Sequence, residues 1–534
     1  MTPLSLLILA LHLLPGAEAS LPTVTIDTGV LVGTRSTYSS PVVNRFLGVP
    51  FAEPPVRFNR AEPAGKWEGV YNATRYKPSC MQSFKGPEEH RRRTMKWFDD
   101  PPPPNGESED CLYLNVYAPA DAAPGSKAVM FWIYGGNFQF GAGSLPLYDG
   151  SSLASNQDVV VVTINYRTNV FGFPGSPEKP ESEQNLGFLD QRLALDWVQR
   201  NIHAFGGDPN RVTLFGESAG GGSVDTLILN PPDPIPFSGA ILQSGQSAIS
   251  LANHDSATSW TKLTKATDCD GIDCVRALSA EKIRDVIQRE KLTFFPIYDD
   301  GTTYAPTGRI DRRNATSGIA RVPILMGSNA DEATVFFYGL NNNNNNNNNP
   351  MSSLQLQVPA GATGEGGLNK LLGAYSPNQA LGLFNRQLVS LIGDFAFTCP
   401  AKVISEESAA VGIPSWRYVF DAAFANHEAF PGSGAWHSSE IDLIFGTYSR
   451  VGATAYQEKL SRTMQKSWAD FAKDPSRGPG WASLPDNVAV FGAGVRPGKG
   501  CEPSTPAVDV NSGAKYDGKC WLFKPIYDAA TLRR

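Results

Sequence analysis

Ser218 stands among small residues in Gly216-Glu217-Ser218-Ala219-Gly220. An apolar run, Arg211-Val212-Thr213-Leu214-Phe215, precedes it, and Gly220-Gly221-Gly222-Ser223-Val224 follows. The first segment reads as a strand and the second as a helix start. A chain that turns sharply from strand to helix at a serine lifts the hydroxyl into the open, and small neighbours permit that turn. The helix start points unpaired N–H groups at the place where a negative oxygen would form. Such an arrangement serves nucleophilic attack on a carbonyl carbon. The hydroxyl needs a base to take its proton, and the base needs a carboxylate to orient it.

When a strand–turn–helix serine works this way, an acid and then a histidine follow it in the chain. Only His427 and His437 lie well after Ser218. His437 enters an apolar segment in Gly434-Ala435-Trp436-His437-Ser438-Ser439-Glu440. His427, between Asn426 and Glu428, is the substitute, and reads otherwise as a structural or surface histidine. The acid falls in Gly327-Ser328-Asn329-Ala330-Asp331-Glu332, after an apolar strand-like run. Spacing alone leaves Asp331 and Glu332 equivalent.

The elements that must position these groups are apolar runs at residues 128–134, 158–166, 211–215, 237–243, 322–326 and 416–420. Several are almost continuously apolar, as strands covered on both faces are. Residues 457–473 read as an amphipathic helix with Leu460, Met464, Trp468 and Phe471 on one stripe. The reading is an α/β chain, a large mixed sheet flanked by helices, forming one catalytic domain over 20–534. The nine asparagines at 341–349 read as a solvated loop insertion. A net charge of −6 argues against nucleic acid or an anionic membrane as the main partner.

Residues 1–19 carry an apolar run ending in Ala17-Glu18-Ala19, a signal-peptidase pattern. That run is too short to span a bilayer, and no later segment is apolar enough, so export without stable membrane insertion is expected. Seven cysteines fit an oxidising compartment, with one left over. Cys269 and Cys274 bracket a short turn and are expected to pair. Among Cys399, Cys501 and Cys520 composition does not say which is free. Asn72 and Asn314 open Asn-Ala-Thr glycosylation sites.

Three segments resemble the type-B carboxylesterase/lipase family, which holds carboxylesterases, cholinesterases and fungal lipases. They are the stretch from Phe205 through Ser218 to Gly220, the stretch from Glu109 to Pro119 with Cys111, and the stretch from Arg45 to Pro55. Matching segments run from about residue 25 to 475. The resemblance implies an α/β-hydrolase fold with a mostly parallel central sheet. It implies Glu332 as the acid, His437 as the base, and a Cys80–Cys111 bridge closing a loop over the site. It also places an oxyanion hole at Gly136, Asn137 and Ala219. Here the chain departs from the family, since Asn137 stands where a third glycine is usual. The donors required are backbone N–H groups, and asparagine tolerates positive φ better than most residues.

The Cys80–Cys111 loop carries Arg91-Arg92-Arg93 and Trp97-Phe98. It reads as a lid moving at an oil–water interface, as a platform on which Trp97 faces a cationic substrate, or as a solvated loop with its aromatics tucked against the body. Phe294 and Phe295 fall where the family lines its acyl pocket, and core packing explains them equally well. Glu217 and Phe138, beside the serine and the oxyanion loop, complete the candidate pocket. The leading expectation is a secreted ester hydrolase working on a small-molecule ester through an acyl-enzyme. Neither metal nor organic cofactor is implied. The alternatives are an interface-activated lipase and a non-catalytic binding or adhesion protein on the same fold.

Overall fold

The computed structural model describes residues 21–36, 41–249, 255–299, 301–316, 318–338, 374–375, 389–485 and 487–532. The signal segment at 1–19 and the asparagine run at 341–349 lie outside the described residues. A small sheet joins β1 (Thr23–Ile26), β2 (Gly29–Val32) and β5 (Val70–Asn72). The large sheet has eleven strands in the order β14-β13-β12-β11-β10-β9-β7-β8-β6-β4-β3. They are β3 (Thr34–Arg35), β4 (Val43–Pro50), β6 (Tyr113–Pro119), β7 (Lys127–Ile133), β8 (Val160–Ile164), β9 (Gly207–Glu217), β10 (Gly239–Gln243), β11 (Ile324–Asn329), β12 (Ser415–Ala422), β13 (Val488–Val495) and β14 (Val508–Asn511).

From β8 to β13 every neighbouring pair is parallel, and antiparallel pairs close both ends. The expected mixed, mostly parallel sheet is present. Its centre reads as continuous apolar sequence because helices cover both faces: every residue of β8, β10 and β12 is buried. The expected amphipathic helix spans Ala455–Lys473, and Leu460, Met464, Trp468 and Phe471 are fully buried. Trp468 packs its ring on Tyr418 and Phe491, while its Nε1 donates to Gln243 Oε1 at 2.9 Å. Burying the ring while pairing its N–H secures the hydrophobic gain without a desolvated polar atom.

Sheet register decides where the site forms. Ile133 of β7 pairs with Gly216 of β9, so the loop leaving β7 and the turn leaving β9 emerge side by side. Gln243 of β10 pairs with Glu217 and with Gly327 of β11, which lines up the third carboxyl end. Open parallel sheets gather their ligand sites at such carboxyl ends.

The three bridges are Cys80–Cys111, Cys269–Cys274 and Cys399–Cys520, leaving Cys501 as the free thiol. The last bridge joins cysteines 121 residues apart, a pairing that only the folded chain reveals. Among the described residues, no helix is long and apolar enough to cross a membrane.

Candidate active site

Ser218 joins β9 to the helix Ala219–Leu229 with φ 55° and ψ −119°, a conformation that an L-residue holds only under constraint. Its N–H donates to Gln243 O at 2.8 Å, and its carbonyl accepts from Gly222 N at 2.9 Å. The flanking glycines are needed for close approach. A Cβ on Gly216 would stand 2.6 Å from the Gly220 carbonyl, and one on Gly220 would collide with the Ile133 carbonyl.

On the neighbouring loop, Gly136 has φ 100° and Asn137 φ 55°. Asn137 therefore adopts the left-handed conformation for which a third glycine would be the easier residue. The loop is closed by Gln139 N donating to Gly136 O at 2.9 Å. The N–H groups of Gly136, Asn137 and Ala219 make no hydrogen bond among the described residues.

Glu332 follows β11 and is buried, as is His437. Its Oε2 lies 2.6 Å from His437 Nδ1, and its Oε1 accepts from Asn329 N at 2.7 Å. Asp331 faces away, accepting from Ala435 N at 2.9 Å and pairing with Arg496 at 3.4 Å. Of these two carboxylates, only Glu332 meets the imidazole. His427 belongs elsewhere, its Nε2 lying 3.0 Å from Asp442.

Two further carboxylates surround His437. Glu217 Oε1 lies 3.1 Å from its Nε2, without the alignment of a hydrogen bond, and accepts from Ser438 Oγ at 2.6 Å. Glu440 is held by Gln243 Nε2 at 3.0 Å and Asn329 Nδ2 at 2.6 Å. Burial pushes the Glu217 carboxyl up to about 8, against the pull of His437, and also raises Glu440, with Glu332 adding to the effect. Burial alone would lower His437, but Glu217 and Glu332 outweigh it and raise the imidazolium to about 9. Ser438, Glu440, Gln243 and Asn329 escaped the sequence reading. Glu440, a charged residue three positions after His437 at the head of an apolar segment, was the one visible signal.

Two cavities flank Ser218 and Glu217, and a third, of about 1100 Å³, touches Asn329 and Glu332. One, of about 210 Å³, is lined by Asn137, Phe138, Ser218, Ala219, Phe295 and Phe397, among others. The second, of about 490 Å³, touches Gly136, Glu217, Ser438, Trp97 and Trp436. Of the expected pocket residues, Phe138 and Phe295 line the serine cavity, while Glu217 and Trp97 line the other. Phe294 lines neither. It is fully buried in a second apolar core with Phe171, Phe173 and Trp260, so the packing explanation holds for it.

The Cys80–Cys111 loop carries the helix Glu88–Phe98. Trp97 Nε1 donates to Ala429 O at 3.2 Å, and Phe98 packs on Phe140 and Trp436. Arg92 is exposed and pairs with Glu88, whereas the half-buried Arg93 pairs with Glu89 and lies over the Tyr338 ring at 5.4 Å.

A strained serine at a strand–helix turn, next in the chain to Glu217, whose carboxylate lies 3.1 Å from the His437 of a buried Glu–His pair, is the pattern of a serine hydrolase, and sequence comparison gives the lineage. The model of the carboxylesterase family matches residues 20–489. The chain belongs to the carboxylesterase family. The chain is 34% identical to the cholinesterase of Mus musculus over 84% of its own length and 78% of the relative's. Against the acetylcholinesterase of Bungarus fasciatus identity is 34%, over 86% and 79%. The para-nitrobenzyl esterase of Bacillus subtilis (strain 168) is 36% identical, over 81% and 86%. Membership places this chain among the carboxylic ester hydrolases on the α/β-hydrolase fold.

Proposed function

We propose that this carboxylesterase-family member is an exported serine esterase that cleaves small-molecule esters through an acyl-enzyme. The observation that carries the proposal is the 2.6 Å contact between buried Glu332 and His437 beside the strained Ser218. Ser218 Oγ attacks the ester carbonyl while His437 Nε2 takes its proton. Glu332 holds the Nδ1–H and stabilises the imidazolium. The N–H groups of Gly136, Asn137 and Ala219 receive the oxyanion. As the tetrahedral adduct collapses, the alcohol leaves with the proton from Nε2, and water then repeats the sequence on the acyl-enzyme.

The leaving oxygen must reach Nε2, so the alcohol half belongs on the side of Glu217 and Ser438, in the larger cavity. The acyl half then occupies the cavity lined by Ser218 and Ala219. Export of a single domain spanning 20–534 is supported by three disulfides, by exposed Asn72 and Asn314, and by one sheet that takes strands from Thr34 to Asn511. We favour an esterase over an interface-activated lipase because Trp97 and Phe98 anchor the loop helix to the body. We favour it over a binding protein because all three triad residues are present.

The test is hydrolysis of p-nitrophenyl acetate and butyrate by the parent enzyme and by S218A. Turnover by the parent and none by a folded S218A supports the proposal; equal turnover by both rejects it.

A further inference from the structure

Three glycines in succession, Gly220, Gly221 and Gly222, sit in the first turn and a half of the helix Ala219–Leu229, where glycine weakens a helix relative to alanine. Two of them are required by packing. A Cβ on Gly220 would overlap the Ile133 carbonyl, and one on Gly221 would stand 3.0 Å from the carbonyls of Gln243 and Gly245. The third is different. A Cβ on Gly222 would meet nothing nearer than Gln246 O at 3.7 Å and the Phe138 ring at 4.0 Å, ordinary van der Waals distances. Packing gives no reason for this glycine, and helix stability argues against it.

The open space in front of Gly222 is the cavity beside the nucleophile. Ala219, Gly222 and Thr226 recur at helical spacing and line it together. Opposite stand the rings of Phe138, Phe188 and Phe295. Phe138 is held edge-on against Phe173 and Phe188 at 5.4 and 5.7 Å, so that wall is rigid. The volume of about 210 Å³ has room for about seven non-hydrogen groups at the roughly 30 Å³ each that condensed packing allots. An acetyl group leaves most of it empty. A medium-length alkyl chain or one aromatic ring fills it.

We infer that Gly222 is a specificity-determining residue that opens the acyl cavity to acyl groups larger than acetyl, up to a hexanoyl chain or a benzoyl ring. This rests on the esterase reading above and deepens it. A side chain at 222 fills volume that a long acyl group needs and an acetyl group does not.

The experiment compares kcat/KM for p-nitrophenyl hexanoate and benzoate with that for p-nitrophenyl acetate, in the parent, G222A and G222L. The expected result is a fall in the hexanoate-to-acetate and benzoate-to-acetate ratios of about tenfold or more in G222L, with G222A between, since a methylene misfit in an apolar pocket changes discrimination by about 10–200-fold. Thermal melting separates this from a packing role: G222A melts at or above the parent, whereas G221A melts below it. Ratios unchanged within about twofold, or a G222A melting point lowered as far as that of G221A, overturn the inference.

Absence of turnover by the parent would count against the esterase reading alone, so the same substitutions are also read without catalysis. In S218A, adding G222L weakens binding of p-nitrophenyl hexanoate relative to the acetate by the same factor. Equal weakening of both, or none, overturns the inference.

Discussion

Replacing Glu332 by glutamine removes one charge from the centre of the site and changes almost no volume. The amide oxygen can still accept from Asn329 N, which lies 2.7 Å from Oε1. The amide NH2 then faces His437 Nδ1 across a contact that is now 2.6 Å, between side chains 1% and 4% exposed. Nδ1 must become the acceptor, which moves the ring proton to Nε2, the atom that should take the proton of Ser218. Both the wrong tautomer and an unneutralised imidazolium raise the barrier. The loss expected is about 10³–10⁴-fold in kcat, or about 4 to 5.5 kcal/mol of transition-state stabilisation. D331N is the control: Asp331 holds Ala435 N and Arg496 and does not touch the imidazole, so its kcat should fall by less than about tenfold. The assay is steady-state hydrolysis of p-nitrophenyl butyrate, with circular dichroism melts to establish folding. Near-parental turnover by E332Q together with collapse of D331N would refute the assignment of the acid.

Other consequences can be checked independently. His437 is raised above its ordinary value chiefly by Glu217 and Glu332 and must be neutral to act as base, so kcat/KM should climb through alkaline pH; E217Q should shift that rise to lower pH, and an unmoved or upward-shifted profile would contradict the electrostatics. Because His437 and Glu217 are both raised, each holds its proton more tightly when folded, so together they make stability fall as pH rises, across about 6.5 to 9 for His437 and about 4.5 to 8 for Glu217. The melting point of E217Q relative to the parent should therefore increase between pH 5 and 8, as a titration of melts would reveal. Removing the Cys399–Cys520 bridge with paired serines should destabilise the fold by about 4 to 5 kcal/mol in urea unfolding, given the 121-residue separation, and a change below about 1 kcal/mol would argue that it constrains little. Hydrolysis of tributyrin should rise smoothly across its solubility limit because Trp97 and Phe98 fasten the loop helix; a jump at the limit would mean that the helix opens at an interface.

Much of this was legible in the sequence, and the reason is local. The serine turn needs small residues at fixed offsets, and β8, β10 and β12 are buried on both faces, so both wrote themselves into consecutive residues. The choice between Asp331 and Glu332 was not legible in the spacing and came only from the family resemblance, because it depends on which side chain faces Ala435 and Arg496 and which faces the histidine. Phe294 and Phe295 are neighbours in the chain, but one is buried in the second apolar core and the other lines the serine cavity, and only packing distinguishes them. The partners of Cys399 and the network through Gln243, Asn329 and Glu440 join residues from distant elements, which no spacing rule connects. Gly222 was visible throughout as part of a glycine run, yet its separation from Gly220 and Gly221 required knowing what each missing side chain would touch.

The most direct test of the account is covalent trapping. After incubation with an alkyl fluorophosphonate, intact-mass and peptide mass spectrometry should find one phosphonyl group, on Ser218, and S218A should remain unmodified. An adduct on another residue, or none under conditions where esters are hydrolysed, would contradict an acyl-enzyme mechanism at Ser218.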